Sequence, residues 1–143
     1  MEKKYKLTDE TINVEGKKLF RIEALKDFRD VMKGDKGGFI EDEHNLSHDG
    51  NSWVYGDAWV YGGARVYGDA KIENNSDYIV FKNWWSSGRY FTWTRSNDMW
   101  KVGCFSGTGD ELIKKAYKDS ELSGREYERI VKYVEEIKKD NGK

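Results

Sequence analysis

A six-residue rhythm between Ser52 and Ser76, SWVYGDAWVYGGARVYGDAKIENNS, limits the folds open to this chain more than any other feature. Val54, Val60, Val66 and Ile72 fall in one column, and Ala58, Ala64, Ala70 and Ser76 fall in a second. Aliphatic residues at this spacing land on different faces of an α-helix, and Gly56, Gly62, Gly63 and Gly68 would each cost roughly 1 kcal/mol inside one. The stretch is therefore not helical. Units of so short a period cannot bury an apolar side alone and must stack on neighbours. Gly56-Asp57, Gly62-Gly63, Gly68-Asp69 and Asn74-Asn75 place turn-forming residues at the matching point of each unit.

The two columns resemble the hexapeptide repeat of left-handed parallel β-helices, in which three short strands make one triangular coil. The resemblance implies an aliphatic residue pointing into the coil, a small residue near each corner, and glycine, Asp or Asn in the turns. A plain antiparallel meander with VYG-containing hairpins is the alternative. Four clear units make little more than one coil, so the flanking segments are expected to pack on its ends and the chain to form a homo-oligomer. The expected fold is mixed β and α: a short left-handed parallel β-helix, then a three-stranded antiparallel meander, then two C-terminal helices. The expected organisation is a β-rich cap over residues 1–51, the repeat over 52–76, and a meander-plus-helix lobe over 77–143.

Within the first segment, Lys18 to Leu25 alternates apolar and polar residues, and Val14-Glu15-Gly16-Lys17 has the composition of a hairpin turn, which makes Thr11–Val14 the partner strand. Lys33 to Gly38 reads as a loop from its glycines. Beyond the repeat, DYIVFKNWW, RYFTWTR and MWKVGCF are three β-prone runs divided by short polar turns. In the middle run Arg89, Phe91, Trp93 and Arg95 share one face and Tyr90, Thr92 and Thr94 the other. Thr108-Gly109-Asp110-Glu111 and Ser123-Gly124-Arg125-Glu126 both have capping-box spacing, and Tyr127, Ile130, Val131, Val134 and Ile137 form one helical stripe. The tail from Lys138 is expected to fray.

Charged residues make up 36% of the chain, yet six Trp, nine Tyr and six Phe supply the buried surface a fold requires. A net charge of -1 argues against a general duplex nucleic-acid surface and leaves room for a small phosphate ligand held by a few local cations. A single cysteine, Cys104, excludes an intrachain disulfide and reads as a small buried strand residue. Without an apolar leader or a span-length apolar run, the expected setting is the cytoplasm, with no membrane partner.

The chain carries no evident catalytic set. His44 and His48 are its two histidines and lie in the loop EHNLSHDG. Hexapeptide-repeat proteins include acyltransferases with a catalytic histidine, but this position and the few coils depart from that pattern. A metal site on His44, His48 and Asp49 is conceivable chemically, but the expectation is no metal and no cofactor. The ligand-like constellation is Trp84, Trp85, Arg89, Tyr90, Trp93 and Arg95, since aromatic faces stack on bases and guanidinium forks grip phosphates. Core packing is the competing account of the same residues. Thr108, where glycines lead a strand into a helix start, is a further point where an anion can be received. Asp110 and Glu111 would compete with that anion.

The lead YKLTDETINVEGKKLFRIEALKDF, the GGFI segment and the VYGDA units together resemble small proteins encoded by bacterial phages and prophages. By analogy with phage proteins that sequester cyclic nucleotides of bacterial immune signalling, the resemblance implies a non-enzymatic protein acting in the cytoplasm of an infected host. Its expected ligand is a small signalling nucleotide such as a cyclic dinucleotide. The rival expectation is a protein-interaction module that inhibits a host defence protein, its Tyr- and Trp-rich surface serving as the interface.

Overall fold

The computed structural model describes residues 3–142 and contains ten strands and two α-helices. The first hairpin forms as its pattern predicts. β1 (Tyr5–Val14) pairs antiparallel with β2 (Lys17–Ala24). Glu15 and Gly16, with φ of 50° and 81°, make the two-residue turn, a geometry that suits the twist of the flanking strands.

β3 (Lys36–Ile40) then runs antiparallel to β2, and this corrects the loop expected from its glycines. Gly37 and Gly38 serve close approach instead of turning: a Cβ on Gly37 would lie 2.6 Å from the Val54 carbonyl oxygen and 2.8 Å from the Trp53 ring. The repeat therefore lies directly against this strand. A capped 3-10 turn, Glu43–Asn45, leads into it.

The expected left-handed parallel β-helix is not what the chain builds. The repeat contributes only two-residue strands: β4 (Trp53–Val54), β5 (Trp59–Val60) and β6 (Lys71–Ile72). These are divided between sheets. β5 pairs parallel with β3 and closes a four-stranded sheet of order β1-β2-β3-β5, while β4 and β6 form a separate two-stranded parallel sheet. The unit around Val66 is held by an isolated bridge to Leu46. Parallel pairing also excludes the meander of VYG hairpins. Four units present too few strands to satisfy one another's backbone, so β3 takes up part of the pairing, and residues 36–40 are built into the repeat instead of covering its end.

The column chemistry nevertheless places the core. Val54, Val60, Val66 and Ile72 are 0–1% exposed, and Ala58, Ala64 and Ala70 are buried beside them with Tyr5, Ile22, Ile40 and Trp53. Tyr55 and Tyr61 turn outward onto the first lobe, where their hydroxyls donate to Asp30 (2.8 Å) and Glu15 (3.3 Å).

The second lobe is a four-stranded antiparallel sheet of order β10-β9-β8-β7, one strand more than the expected three. β7 (Tyr78–Lys82), β8 (Tyr90–Thr94) and β9 (Met99–Val102) match the three β-prone runs, and β10 (Phe105–Gly107) returns from a turn at Gly103-Cys104. Cys104 is exposed in that turn and not a buried strand residue. α1 (Gly109–Asp119) and α2 (Glu121–Gly142) cover one face of the sheet, burying Phe91, Trp93 and Trp100 against Leu112, Ala116, Tyr127, Val131 and Val134.

Thr108 caps α1 with the reciprocal Glu111 bond that its spacing predicts. α2 starts earlier than expected: the Ser120 hydroxyl accepts from the Ser123 amide at 3.0 Å, and Gly124 lies inside the helix because the Tyr117 ring covers its Cα. Lys138, the first residue of the 138–143 tail expected to fray, is tied to Asp98 at 2.7 Å, and α2 stays helical to Gly142; residue 143 lies outside the described residues.

The two lobes meet on the other face of the meander. The Arg65 amide donates to the Thr92 hydroxyl (2.9 Å), the Lys71 amide donates to Ser96 (2.7 Å), and the Asn97 side chain donates to Asp69 (3.0 Å). Thr92 and Thr94 alternate with the apolar Phe91 and Trp93, which is why one strand serves a helix-facing core and a polar seam together.

Candidate functional site

A run of cavities follows the seam between the repeat and the meander. The first, about 240 Å³, lies between the 3-10 turn and the third repeat unit and is lined by His44, Ser47, His48, Arg65, Tyr67 and Lys101 among others. The second, about 290 Å³, is lined by His44, Gly63, Arg65, Arg89 and Tyr90. A smaller space of about 90 Å³ continues inward past Arg65 and Tyr67 to Thr92, Thr94 and Trp100. Arg65 borders all three.

The local sequence explains the shape. In the second unit Gly62-Gly63 replaces the Gly-Asp of its neighbours, and the Tyr90 ring lies directly on Gly63, where a Cβ would sit 2.5 Å from the ring. Tyr90 is 50% exposed, so its outer face borders the groove. Across the groove the Lys101 ammonium lies 4.0 Å from the centroid of the Tyr67 ring, a cation held over an aromatic face.

Among the described residues Arg65, Arg89 and Lys101 make no ion pair. Two carboxylates also line these cavities, Glu43 the first and Asp69 the inner one, and both have partners of their own. Glu43 accepts from His48 at 2.8 Å and from Lys3 at 3.2 Å; the His48 hydrogen bond, aided by Lys3, holds its carboxyl below the usual glutamate range. Asp69 accepts from Asn97. The groove thus offers three cations without an ion-pair partner among the described residues, one of them over Tyr67, and the ring of Tyr90, a combination suited to a phosphate-bearing, stackable ligand.

Both histidines have structural partners. His44 Nε2 lies 2.8 Å from the Gly62 carbonyl oxygen, and His48 Nδ1 accepts from the Lys4 amide while its ring stacks on Tyr5 at 4.1 Å. Among the described residues no group of three or more His, Cys, Asp or Glu is placed to hold a metal ion.

The residues singled out from sequence are dispersed. Arg89 and Tyr90 reach the groove. Trp93 is 0% exposed in the helix-facing core, and its indole N–H donates to Asp98 at 2.8 Å. Arg95 lies over the Trp93 ring, 5.4 Å from its centroid, and donates to the Ser76 carbonyl. Trp85 packs edge-on against Tyr127 and donates to the Ser123 hydroxyl, which makes it part of the helix contact. Trp84 is 68% exposed beside Trp85. Thr108 is spent on its helix cap, its hydroxyl accepting from Glu111 N and its amide donating to the Glu111 carboxylate.

Sequence reasoning missed Arg65, Tyr67 and Lys101. The break of pattern at Gly62-Gly63 followed by Arg65 was the available signal, because a repeat that gives up its turn Asp makes room for something. No family model matches the chain, and neither does any curated protein.

Proposed function

We propose that this chain is a non-enzymatic binding protein that captures a small phosphate-bearing nucleotide in the groove between the repeat and the meander. Sequestration of a signalling nucleotide, such as a cyclic dinucleotide, against bacterial antiviral defence is the role such capture would serve. The observation that carries the reading is Arg65, which borders three adjoining cavities with Arg89 and Lys101 nearby and, among the described residues, no carboxylate paired to any of them. Guanidinium forks bind phosphate oxygens bidentately, and Tyr67 and Tyr90 add ring faces for a base.

Calorimetric titration against cyclic di- and trinucleotides tests the reading. The expected result is saturable heat for at least one of them and a loss of about tenfold or more in affinity for Arg65→Ala. Absence of heat for every nucleotide at high micromolar protein refutes it.

A protein-interaction module is the second reading, and Trp84 favours it: large, 68% exposed and edge-to-face against Trp85. A stoichiometric protein partner lost in Trp84→Ala and retained in Arg65→Ala would establish that reading in place of the first.

A further inference from the structure

A fourth cavity, about 310 Å³, lies under the β7–β8 loop on the helix-facing side of the meander. Its lining includes Asn83, Arg89, Lys115, Asp119, Phe105 and Tyr127. Arg89 also borders the groove described above, so the two spaces share a wall.

Asn83 is the unusual member. It is only 8% exposed, its side-chain nitrogen donates to the Tyr127 hydroxyl at 3.2 Å, and its Oδ1 has no hydrogen-bond partner among the described residues. In this orientation the unsatisfied atom is an acceptor. Native proteins pair nearly all such buried atoms, and an exception points to a ligand or a solvent molecule. Burial pushes the Tyr127 phenol up, which keeps it a neutral hydroxyl.

Asn83 and Arg89 are bonded across the hairpin, the Asn83 amide donating to the Arg89 carbonyl at 2.9 Å, so their side chains leave neighbouring points of one face. An acceptor therefore stands beside a guanidinium donor. Lys115 adds a second cationic donor and Asp119 a second acceptor, the two lying 3.4 Å apart. A base that fits this lining presents a carbonyl oxygen to the cations and N–H groups to Asn83 Oδ1 and Asp119. Guanine does so with O6, N1–H and its 2-amino group. Adenine puts an amino group where the carbonyl must stand, facing Arg89 and Lys115 with the wrong polarity.

We infer that this cavity is the base subsite of the same ligand and selects guanine, with Asn83 as the residue that determines specificity. The inference rests on the nucleotide reading above and adds base identity to it. Arg89 joins the two parts, because the five N–H groups of a guanidinium can serve a base carbonyl on one side and a phosphate on the other.

The test is calorimetric titration of the full chain with GMP, AMP, ribose 5-phosphate and N1-methyl-GMP. The expected result is GMP tighter than AMP by about tenfold or more, with N1-methyl-GMP falling to the AMP level. Asn83→Leu lowers GMP to the AMP level and leaves ribose 5-phosphate unchanged. Should Asn83→Leu fail to fold, the comparison of GMP with its N1-methyl form on the unaltered protein decides alone. Equal binding of GMP, AMP and ribose 5-phosphate, or retained preference in folded Asn83→Leu, overturns the base subsite while the phosphate groove stands. A preference for AMP overturns it likewise. Binding of none of the four overturns the base subsite, and the phosphate groove is then decided by the titration with cyclic nucleotides.

Discussion

Lys4 offers a quantitative test of the first lobe. Its side chain is 0% exposed, and the ammonium donates to the Ser52 carbonyl at 2.6 Å, reaches the Gly50 carbonyl and Ser52 hydroxyl at 3.4 Å, and lies 5.1 Å from the Phe28 ring centroid. Burial, reinforced by the positive charges of Lys26 and Arg29 and opposed by Asp49, lowers its pKa to about 8 from the ordinary 10.5. Between those values the unfolded chain binds more protons than the folded one, so folding stability rises with pH. Linkage over the interval from about pH 7.5 to about pH 9.5 gives an increase of about 2 kcal/mol. The interval ends there for a reason. Burial raises the phenols of Tyr5 and Tyr78, the latter to about 12, so stability contributed by these two is lost once the unfolded tyrosines ionise above about pH 10. Urea unfolding followed by tryptophan fluorescence at a series of pH values reads the slope, and Lys4→Met should remove it. A flat or falling wild-type profile, or an unchanged slope in Lys4→Met, refutes the account of a buried, charge-suppressed amine.

Trp93→Ala is expected to cost about 3–5 kcal/mol of stability, since the ring is wholly enclosed, whereas Trp84→Ala should stay within about 0.5 kcal/mol; paired urea melts compare them. Gly63→Val drives a side chain into the Tyr90 ring and should destabilise by about 1–3 kcal/mol while weakening whatever the groove holds, as read by parallel melts and titrations. Thr108→Ala removes the hydroxyl that accepts from Glu111 N and should cost about 1 kcal/mol, and unaltered nucleotide affinity in that variant would agree with a purely structural cap.

Much of the local structure was legible because it depends on short-range chemistry. The turn at Glu15-Gly16, the three β-prone runs of the meander, the Thr108 capping box and the inward aliphatic column all follow from what neighbouring residues permit. Elements whose pairing partner is remote in sequence were not. β3 looked like a loop because two glycines, which here admit the repeat backbone, carry the same letters as turn glycines. Gly124 looked like a helix boundary until Tyr117 was seen to pack on it.

The candidate site divides in the same way. Arg89 and Tyr90 were visible as part of an aromatic and cationic run, but strand alternation alone does not tell which face meets a helix layer and which meets a second lobe. Trp93 consequently looked like a ligand contact and is core, while Arg65 and Lys101, distant in sequence from Arg89, were overlooked.

By itself the sequence determined the inward aliphatic column, the Glu15-Gly16 turn, the three β-prone runs of the meander followed by two helices, and the content of aromatic and basic residues. Tertiary structure decided which sheet each two-residue strand joined, which cations stood without a carboxylate, and which buried amide oxygen had no partner among the described residues. The physical reason is that periodicity reports what one residue requires of its immediate surroundings, whereas a groove is made by two surfaces whose meeting depends on the packing of the whole chain.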